Sequence, residues 1–213
     1  MSDTCTPPKN GDYPSDCEIT AGLRSMAANQ TKERLAKDQE LALAKAKDIK
    51  LLLLDVDGVL TDGTLIYHHD GQESKTFNTQ DGFGLRLIRE CGIATGLITA
   101  RKSQVVSRRA KELQMSYIYQ GNSNKLGAYK EIIKESGLKP FEICYMGDDW
   151  LDLVLLKRVG LAAVPANAVE EVKDIAHYIT HHSGGQGAVR DVCNLLLESR
   201  NILSSCLQDY MNR

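Results

Sequence analysis

The sequence predicts an α/β fold, a Rossmann-like doubly wound parallel sheet with helices on both faces. Short apolar runs alternate with helix-like stretches from residue 50 to 203, and that alternation implies parallel strands joined by crossover helices. Acids, a threonine and a lysine fall just after the runs rather than inside them, where ligands of such sheets bind. The 213 residues are enough for one ordinary domain, and 42% apolar with 25% charged residues is a soluble globular composition.

Residues 1–17, MSDTCTPPKNGDYPSDC, are rich in Pro, Ser, Thr, Asp and Asn and are expected to be disordered. Residues 18–48 shift to Ala, Leu, Lys, Glu and Gln, a helix-favouring composition. Leu35, Leu41 and Leu43 give this lead-in only a ragged apolar stripe, suited to packing on the domain or on a neighbouring subunit. The domain proper is assigned to 49–203, with 204–213 as a C-terminal tail.

The strands are expected at Lys50–Leu54, Ile93–Ile98, Tyr117–Tyr119, Ile143–Met146, Leu161–Val164 and Tyr178–Ile179. Helices are expected near 83–91, 102–114, 124–136, 149–159, 168–176 and 187–203. One interval departs from the alternation. Residues 64–77, TLIYHHDGQESKTF, read as two short strands around Asp70-Gly71, a preferred two-residue hairpin turn. This small hairpin separates the first strand from its helix.

A formal charge of -2 gives no support for a nucleic-acid or polyanion partner. The six cysteines form no C-x-x-C pair and read as reduced thiols of a cytoplasmic protein. No charged stretch followed by an apolar one marks an export signal. No apolar run approaches the roughly 20 residues of a membrane helix.

Four features close predicted strands or follow them closely: Asp55-Val56-Asp57-Gly58, Thr99-Ala100-Arg101, Lys125, and Gly147-Asp148-Asp149 with Asp152. Singly, an aspartate after a strand is usually a turn former or helix cap. Together they converge on one rim of the sheet, where several carboxylates repel one another unless a cation joins them. All-oxygen ligands of this kind suit Mg²⁺, completed by phosphate oxygens.

The ordered set D-x-D-G-V-x-T-D-G, strand-end Thr, Lys and G-D-D resembles the haloacid-dehalogenase-like superfamily. FNTQDGFGLR, ITARKSQVVSRRA, YQGNSNKL, GDDWLD and GGQGAVRDVC extend the likeness over roughly residues 45–203. They resemble one subfamily, the phosphatases of 8-carbon ulosonic acids that act on 3-deoxy-D-manno-octulosonate 8-phosphate in lipopolysaccharide precursor synthesis. Under that resemblance Asp55 is the nucleophile, forming an aspartyl-phosphate that divides a very slow hydrolysis into two steps. Asp57 protonates the leaving oxygen and then activates water. Asp55 and Asp148 supply carboxylates to Mg²⁺, and Asp57 supplies its backbone carbonyl. Thr99 and Lys125 hold the phosphoryl oxygens. Whether Asp149 or Asp152 supports the metal acids is left open.

The resemblance further implies substrate contacts from Asn78, Thr79, Gln80, Asp81, Gly82, Arg86, Arg101 and Arg109, arginine being suited to carboxylate and phosphate. Arg108, Lys111 and Lys102 read as solvated helix charges. Ala100 stands where the family usually has glycine, and Gln80 where a basic residue is common. Gln80 therefore leaves a nine-carbon, sialic-acid-type 9-phosphate as an alternative substrate. A non-catalytic scaffold is the alternative from another class, and it would be expected to lack Asp55, Asp57 or Lys125. The resemblance also implies a homotetramer whose hairpins reach over neighbouring sites, against the simpler reading of a hairpin packed on its own domain. His68-His69 and His181-His182 read as exposed pairs, since neighbours in a strand face opposite ways. Gly184-Gly185-Gln186-Gly187, before a helix with Arg190, is a weak phosphate-loop candidate; the resemblance implies a C-terminal tail contacting the adjacent site, against the simpler reading of an ordinary helix entry.

Overall fold

A computed structural model describes residues 16–212; most of the segment expected to be disordered lies outside them. The first helix, α1, spans Asp16–Ala46. The chain divides at Glu40 into two compact units. The second, Leu41–Arg213, contains everything that follows, beginning with the end of α1, where Ala42 and Ala46 are buried in the core.

Next come β1 (Leu51–Leu54), the hairpin strands β2 (Ile66–Tyr67) and β3 (Glu73–Ser74), and α2 (Thr79–Glu90). The alternation then runs β4 (Ala94–Ile98), α3 (Gln104–Glu112), β5 (Tyr117–Tyr119), α4 (Lys125–Ser136), β6 (Ile143–Met146), α5 (Leu153–Leu156), β7 (Leu161–Val164), α6 (Glu170–Lys173), β8 (Tyr178–Ile179), α7 (Ala188–Ser199) and α8 (Leu203–Met211). Six strands pair in the order β5-β4-β1-β6-β7-β8, every pair parallel.

β1 sits between β4 and β6, so its leucines have no solvent-facing side. Leu52 and Leu54 join one apolar cluster with α2 and α7, while Leu51 and Leu53 join the opposite cluster with α4 and α5. This explains why the strand reads as an unbroken apolar run rather than an alternating one. Each fully buried leucine contributes about 1.5–3 kcal/mol relative to exposure. The strand that carries the first acids is thus among the hardest parts of the fold to shift.

Several boundaries differ from expectation for local reasons. α2 begins at Thr79, not 83, because the Asn78 side chain accepts hydrogen bonds from the N–H groups of Gln80 and Asp81 and caps the helix there. The helix expected at 149–159 is a 3-10 turn, Trp150–Asp152, followed by the single turn of α5. Asp149 and Asp152 both bond to backbone N–H groups in that turn, which competes with the helical pattern. Most of the expected C-terminal tail is helix α8, whose Tyr210 meets Phe83 edge-on at 5.3 Å. The hairpin turn forms as its sequence suggests, with Gly71 at φ +83° and Asp70 accepting from the Gln72 N–H. Among the described residues no helix is long and apolar enough to cross a membrane.

Candidate active site

The carboxyl ends of β1, β4 and β6 lie side by side because these strands pair directly. Asp55 continues the ladder by one residue, its N–H donating to the Met146 carbonyl at 2.9 Å. The chain then turns. The Val56 carbonyl accepts from Leu60 and Thr61, so Asp57 leaves the strand line and Gly58 takes φ +87°. A Cβ at Gly58 would stand 2.0 Å from Asp148 Oδ2, so glycine here lets the β1 turn and the β6 turn close on each other. Thr99, buried at the end of β4, donates its N–H to the Tyr119 carbonyl, and its Oγ1 accepts from the Arg101 N–H.

Asp55, Asp148 and Asp152 each place a carboxylate oxygen within 4.8 Å of the others. The ammonium of Lys125, 3% exposed, lies 3.0 Å from Asp55 Oδ2 and 2.5 Å from Asp152 Oδ1. Burial and then the Asp152 charge raise the Asp55 carboxyl to about 6. Burial, then Asp152 and Asp55, raise Asp148 to about 7. One lysine does not offset three acids, one fully buried and two half-buried, and a hard dication among these oxygens would. The donor set and the mutual repulsion therefore fit Mg²⁺.

Asp152 settles which acid supports the others. Its Oδ1 accepts from Lys125 Nζ and the Tyr145 hydroxyl, and its Oδ2 accepts from the N–H groups of Asp148 and Asp149. It is fully buried. Asp149 is exposed and caps the following turn through the Trp150 N–H. Asp62 is likewise a turn residue, accepting from the Thr64 N–H.

Asp57 brings in Lys75, which sequence reading missed, and Arg101, which was expected as a substrate contact. Lys75, on the hairpin's return arm, forms an ion pair and hydrogen bond with Asp57 Oδ1, and its side chain is 1% exposed. Arg101 Nε lies 3.6 Å from Asp57 Oδ2, while Arg101 Nη2 donates to the Tyr67 hydroxyl at 2.5 Å. Within this one chain the hairpin is therefore tied to its own active site through Lys75 and Tyr67.

The expected substrate residues divide. Thr79, Gly82, Arg86 and Arg109 line a cavity of about 280 Å³ together with Phe83, Arg89, Glu112 and Leu113. Arg109 lies close against Gly82, where a Cβ would stand 2.2 Å from its Nη2. None of Asp55, Asp57, Thr99, Lys125 or Asp148 lines this cavity. The Asn78 side-chain Oδ1 is engaged in capping α2, and the buried Asp81 accepts from the Arg190 N–H at 2.8 Å near the start of α7. Gln80 is exposed, as are Lys102, Arg108 and Lys111. All four paired histidines are exposed, and the His182 ring hydrogen-bonds Asp191 rather than its neighbour. The Gly184–Gly187 loop is not a phosphate cradle in this arrangement. Its N–H groups donate to Asn167, Val59 and Ser183 within the chain.

Residues 93–191 match the family model described as haloacid dehalogenase-like hydrolase. The 3-deoxy-D-manno-octulosonate 8-phosphate phosphatases KdsC of Salmonella typhi and Escherichia coli K12 are each 42% identical over 155 residues, covering 73% of this chain and 82% of the relative. The crystal structure of the phosphatase of that name from Moraxella catarrhalis, in complex with magnesium ion, phosphate ion and KDO, superposes with a TM-score of 0.78 at 41% identity. It covers 79% of this chain and 97% of that one. The Yersinia pestis phosphatase gives a TM-score of 0.75 at 38% identity, covering 76% and 88%.

Proposed function

The chain belongs to the haloacid dehalogenase-like hydrolases, in the branch of the 3-deoxy-D-manno-octulosonate 8-phosphate phosphatases, and on that premise we propose how its own residues perform the reaction. It is a Mg²⁺-dependent phosphatase that releases phosphate from 3-deoxy-D-manno-octulosonate 8-phosphate, a step in making lipopolysaccharide precursor. The observation that carries the residue assignments is the Asp55–Lys125–Asp152–Asp148 cluster at the ends of adjacent strands.

Asp55 attacks phosphorus, and the bond from phosphorus to the sugar oxygen breaks. Asp57 gives that oxygen its proton, then takes a proton from the water that attacks the aspartyl-phosphate. Phosphate leaves and Asp55 is regenerated. Asp55 and Asp148 carboxylates and the Asp57 carbonyl would hold Mg²⁺, which when bound supplies positive charge to the acids and to the transferring group. Thr99 and Lys125 position phosphoryl oxygens. Lys75 at Oδ1 and Arg101 beside Oδ2 fix the orientation of the Asp57 side chain.

Arg86 and Arg109, together with Arg101, supply the positive charge that an acidic sugar requires. The cavity of Arg86 and Arg109 is lined by none of the catalytic acids of the same chain, which supports a homotetramer in which sites are completed by neighbours. Exposed Leu65, Ile66 and Tyr67 on the hairpin give an assembly apolar area to cover. We place the enzyme in the cytoplasm, where sugar phosphates are available. The neutral Gln80 leaves open a second reading, a nine-carbon acid sugar 9-phosphate. Asp55, Asp57 and Lys125 are all present, which argues against a scaffold.

The test is phosphate release from a panel of eight- and nine-carbon acid sugar phosphates and neutral sugar phosphates, with Mg²⁺ or chelator, for wild type and Asp55→Asn. The expected outcome is preference for the eight-carbon acid and loss of turnover in chelator and in the variant. Preference for another sugar would overturn the substrate. Turnover surviving both chelator and substitution would overturn the mechanism.

A further inference from the structure

Two half-buried thiols from opposite ends of the domain meet on the surface of α2. Cys91 is the C-cap of α2, and its backbone N–H donates to the last helical carbonyls. Cys206 lies in the first turn of α8, its N–H donating to the Ile202 carbonyl. Their sulfurs are 3.8 Å apart although 115 positions separate them in sequence. The contrast with the other described thiols is sharp. Cys144 and Cys193 are fully buried in the core, out of reach of any soluble reagent, whereas Cys91 and Cys206 are both partly exposed.

From this geometry we infer that Cys91 and Cys206 are a disulfide-forming pair, a redox-reversible staple that fastens α8 to α2. A disulfide needs its sulfurs at about 2.05 Å, so the pair must close by less than a side-chain rotation usually provides. α8 can follow, because none of its residues is fully buried. It is held mainly by Leu203 and Tyr210, which pack on the edge of the core. Tyr210 meets Phe83 of α2, and Phe83 and Arg86 line the arginine cavity. The staple therefore fixes one end of a helix whose other end rests on that cavity's wall.

The chemistry balances with a small-molecule disulfide such as glutathione disulfide as oxidant. One protein thiolate attacks a glutathione sulfur and releases one glutathione thiol. The second protein thiolate attacks the resulting mixed disulfide and releases the other. Two protein thiols are oxidised, one glutathione disulfide is reduced to two thiols, and the two protons pass to those thiols. A dithiol reductant reverses both steps. In a reducing compartment the pair rests as thiols, and the staple closes only when the disulfide pool rises. None of this depends on the phosphatase reading.

The experiment incubates the full-length enzyme with glutathione disulfide, blocks remaining thiols, and maps peptides without reduction. The expected product is an intrachain peptide pair joining Cys91 to Cys206, reversed by dithiothreitol. It should be accompanied by slower hydrogen exchange across residues 203–211 and a rise in Tm of about 5 °C or more, as closing a long loop predicts. Cys206→Ser should melt like the reduced wild type yet gain neither the linked peptide nor the Tm rise. The inference is overturned if Cys91 and Cys206 stay alkylatable or carry separate glutathiones. It is equally overturned if they link only between chains, or if Cys206→Ser gains the same stabilisation on oxidation.

Discussion

Asp152→Asn changes one atom in the side chain on which the site's polar network converges. Four donors point at the two Asp152 oxygens: Lys125 Nζ at 2.5 Å, the Tyr145 hydroxyl at 2.5 Å, and the N–H groups of Asp148 and Asp149 at 2.9 and 3.2 Å. An asparagine offers one acceptor oxygen and one donor group. Whichever way the amide is turned, two donors face an NH₂ and lose their partner. In one orientation the buried Lys125 loses its shorter carboxylate contact and keeps only Asp55 at 3.0 Å as an ion-pair partner. Breaking a buried charged pair costs about 3–5 kcal/mol, and for chains of 150–250 residues that lowers Tm by about 6–20 °C. Either Lys125 or the Asp148 backbone is released, depending on which way the amide turns, so kcat should fall about 10²-fold or more, the usual effect of losing one preorganised donor. Asp149→Asn is the paired control. Its carboxylate is exposed and caps one N–H, a task asparagine performs nearly as well. It should leave Tm within about 2 °C. Thermal unfolding and phosphate release on both variants decide the matter. Equal, small effects from the two would refute the placing of Asp152 at the centre of the network.

Lys75→Met should lower kcat about 10-fold or more with little change in KM, and Lys75→Arg should recover part of it, measured by steady-state kinetics. Tyr67→Phe unties the other hairpin contact without touching Asp57, so a matching kcat loss there would mean that Lys75 only anchors the hairpin. Gly58→Ala drives a Cβ against Asp148 Oδ2 and strains a positive φ; Mg²⁺ affinity, read by titration of activity, should weaken about 10-fold or more. In metal-free enzyme Asp148 at about 7 and Asp55 at about 6 lie above the ordinary 3.8. The folded protein thus holds protons that the unfolded chain releases, and these groups make Tm fall as pH rises from about 4 to 7. The stabilisation conferred by added Mg²⁺ should correspondingly shrink on acidification through that range, as protons compete for the same oxygens. A flat Mg²⁺ response in differential scanning calorimetry would contradict this.

The central strand was legible because burial on both faces forces an unbroken apolar run, and Leu51–Leu54 allowed no other comfortable reading. The hairpin was legible through Asp70-Gly71. The order of acid, Thr, Lys and Gly-Asp-Asp could be read because each follows its own strand and parallel topology gathers strand ends. What escaped were contacts set by the third dimension. Lys75 sits in a polar ribbon between Ser74 and Thr76 and has every local mark of a solvated lysine; only the fold of the hairpin back over β1 buries it on Asp57. Asp149 and Asp152 both lie near the strand end, and the 3-10 turn decides which faces inward. Asn78 and Asp81 sat in the expected substrate segment, yet each is engaged at a helix start, tasks that residue type alone does not separate from ligand contact. Cys91 and Cys206 are brought together by a helix that sequence reading treated as a tail.

The covalent step can be observed directly. Enzyme mixed with 3-deoxy-D-manno-octulosonate 8-phosphate and Mg²⁺, quenched in acid within the first turnovers and reduced with borohydride, should yield a peptide with homoserine in place of Asp55. That product arises only from the aspartyl-phosphate. It should be absent without substrate and absent in Asp55→Asn. Efficient turnover with unmodified Asp55, or homoserine at Asp57 or Asp148 instead, would contradict the account.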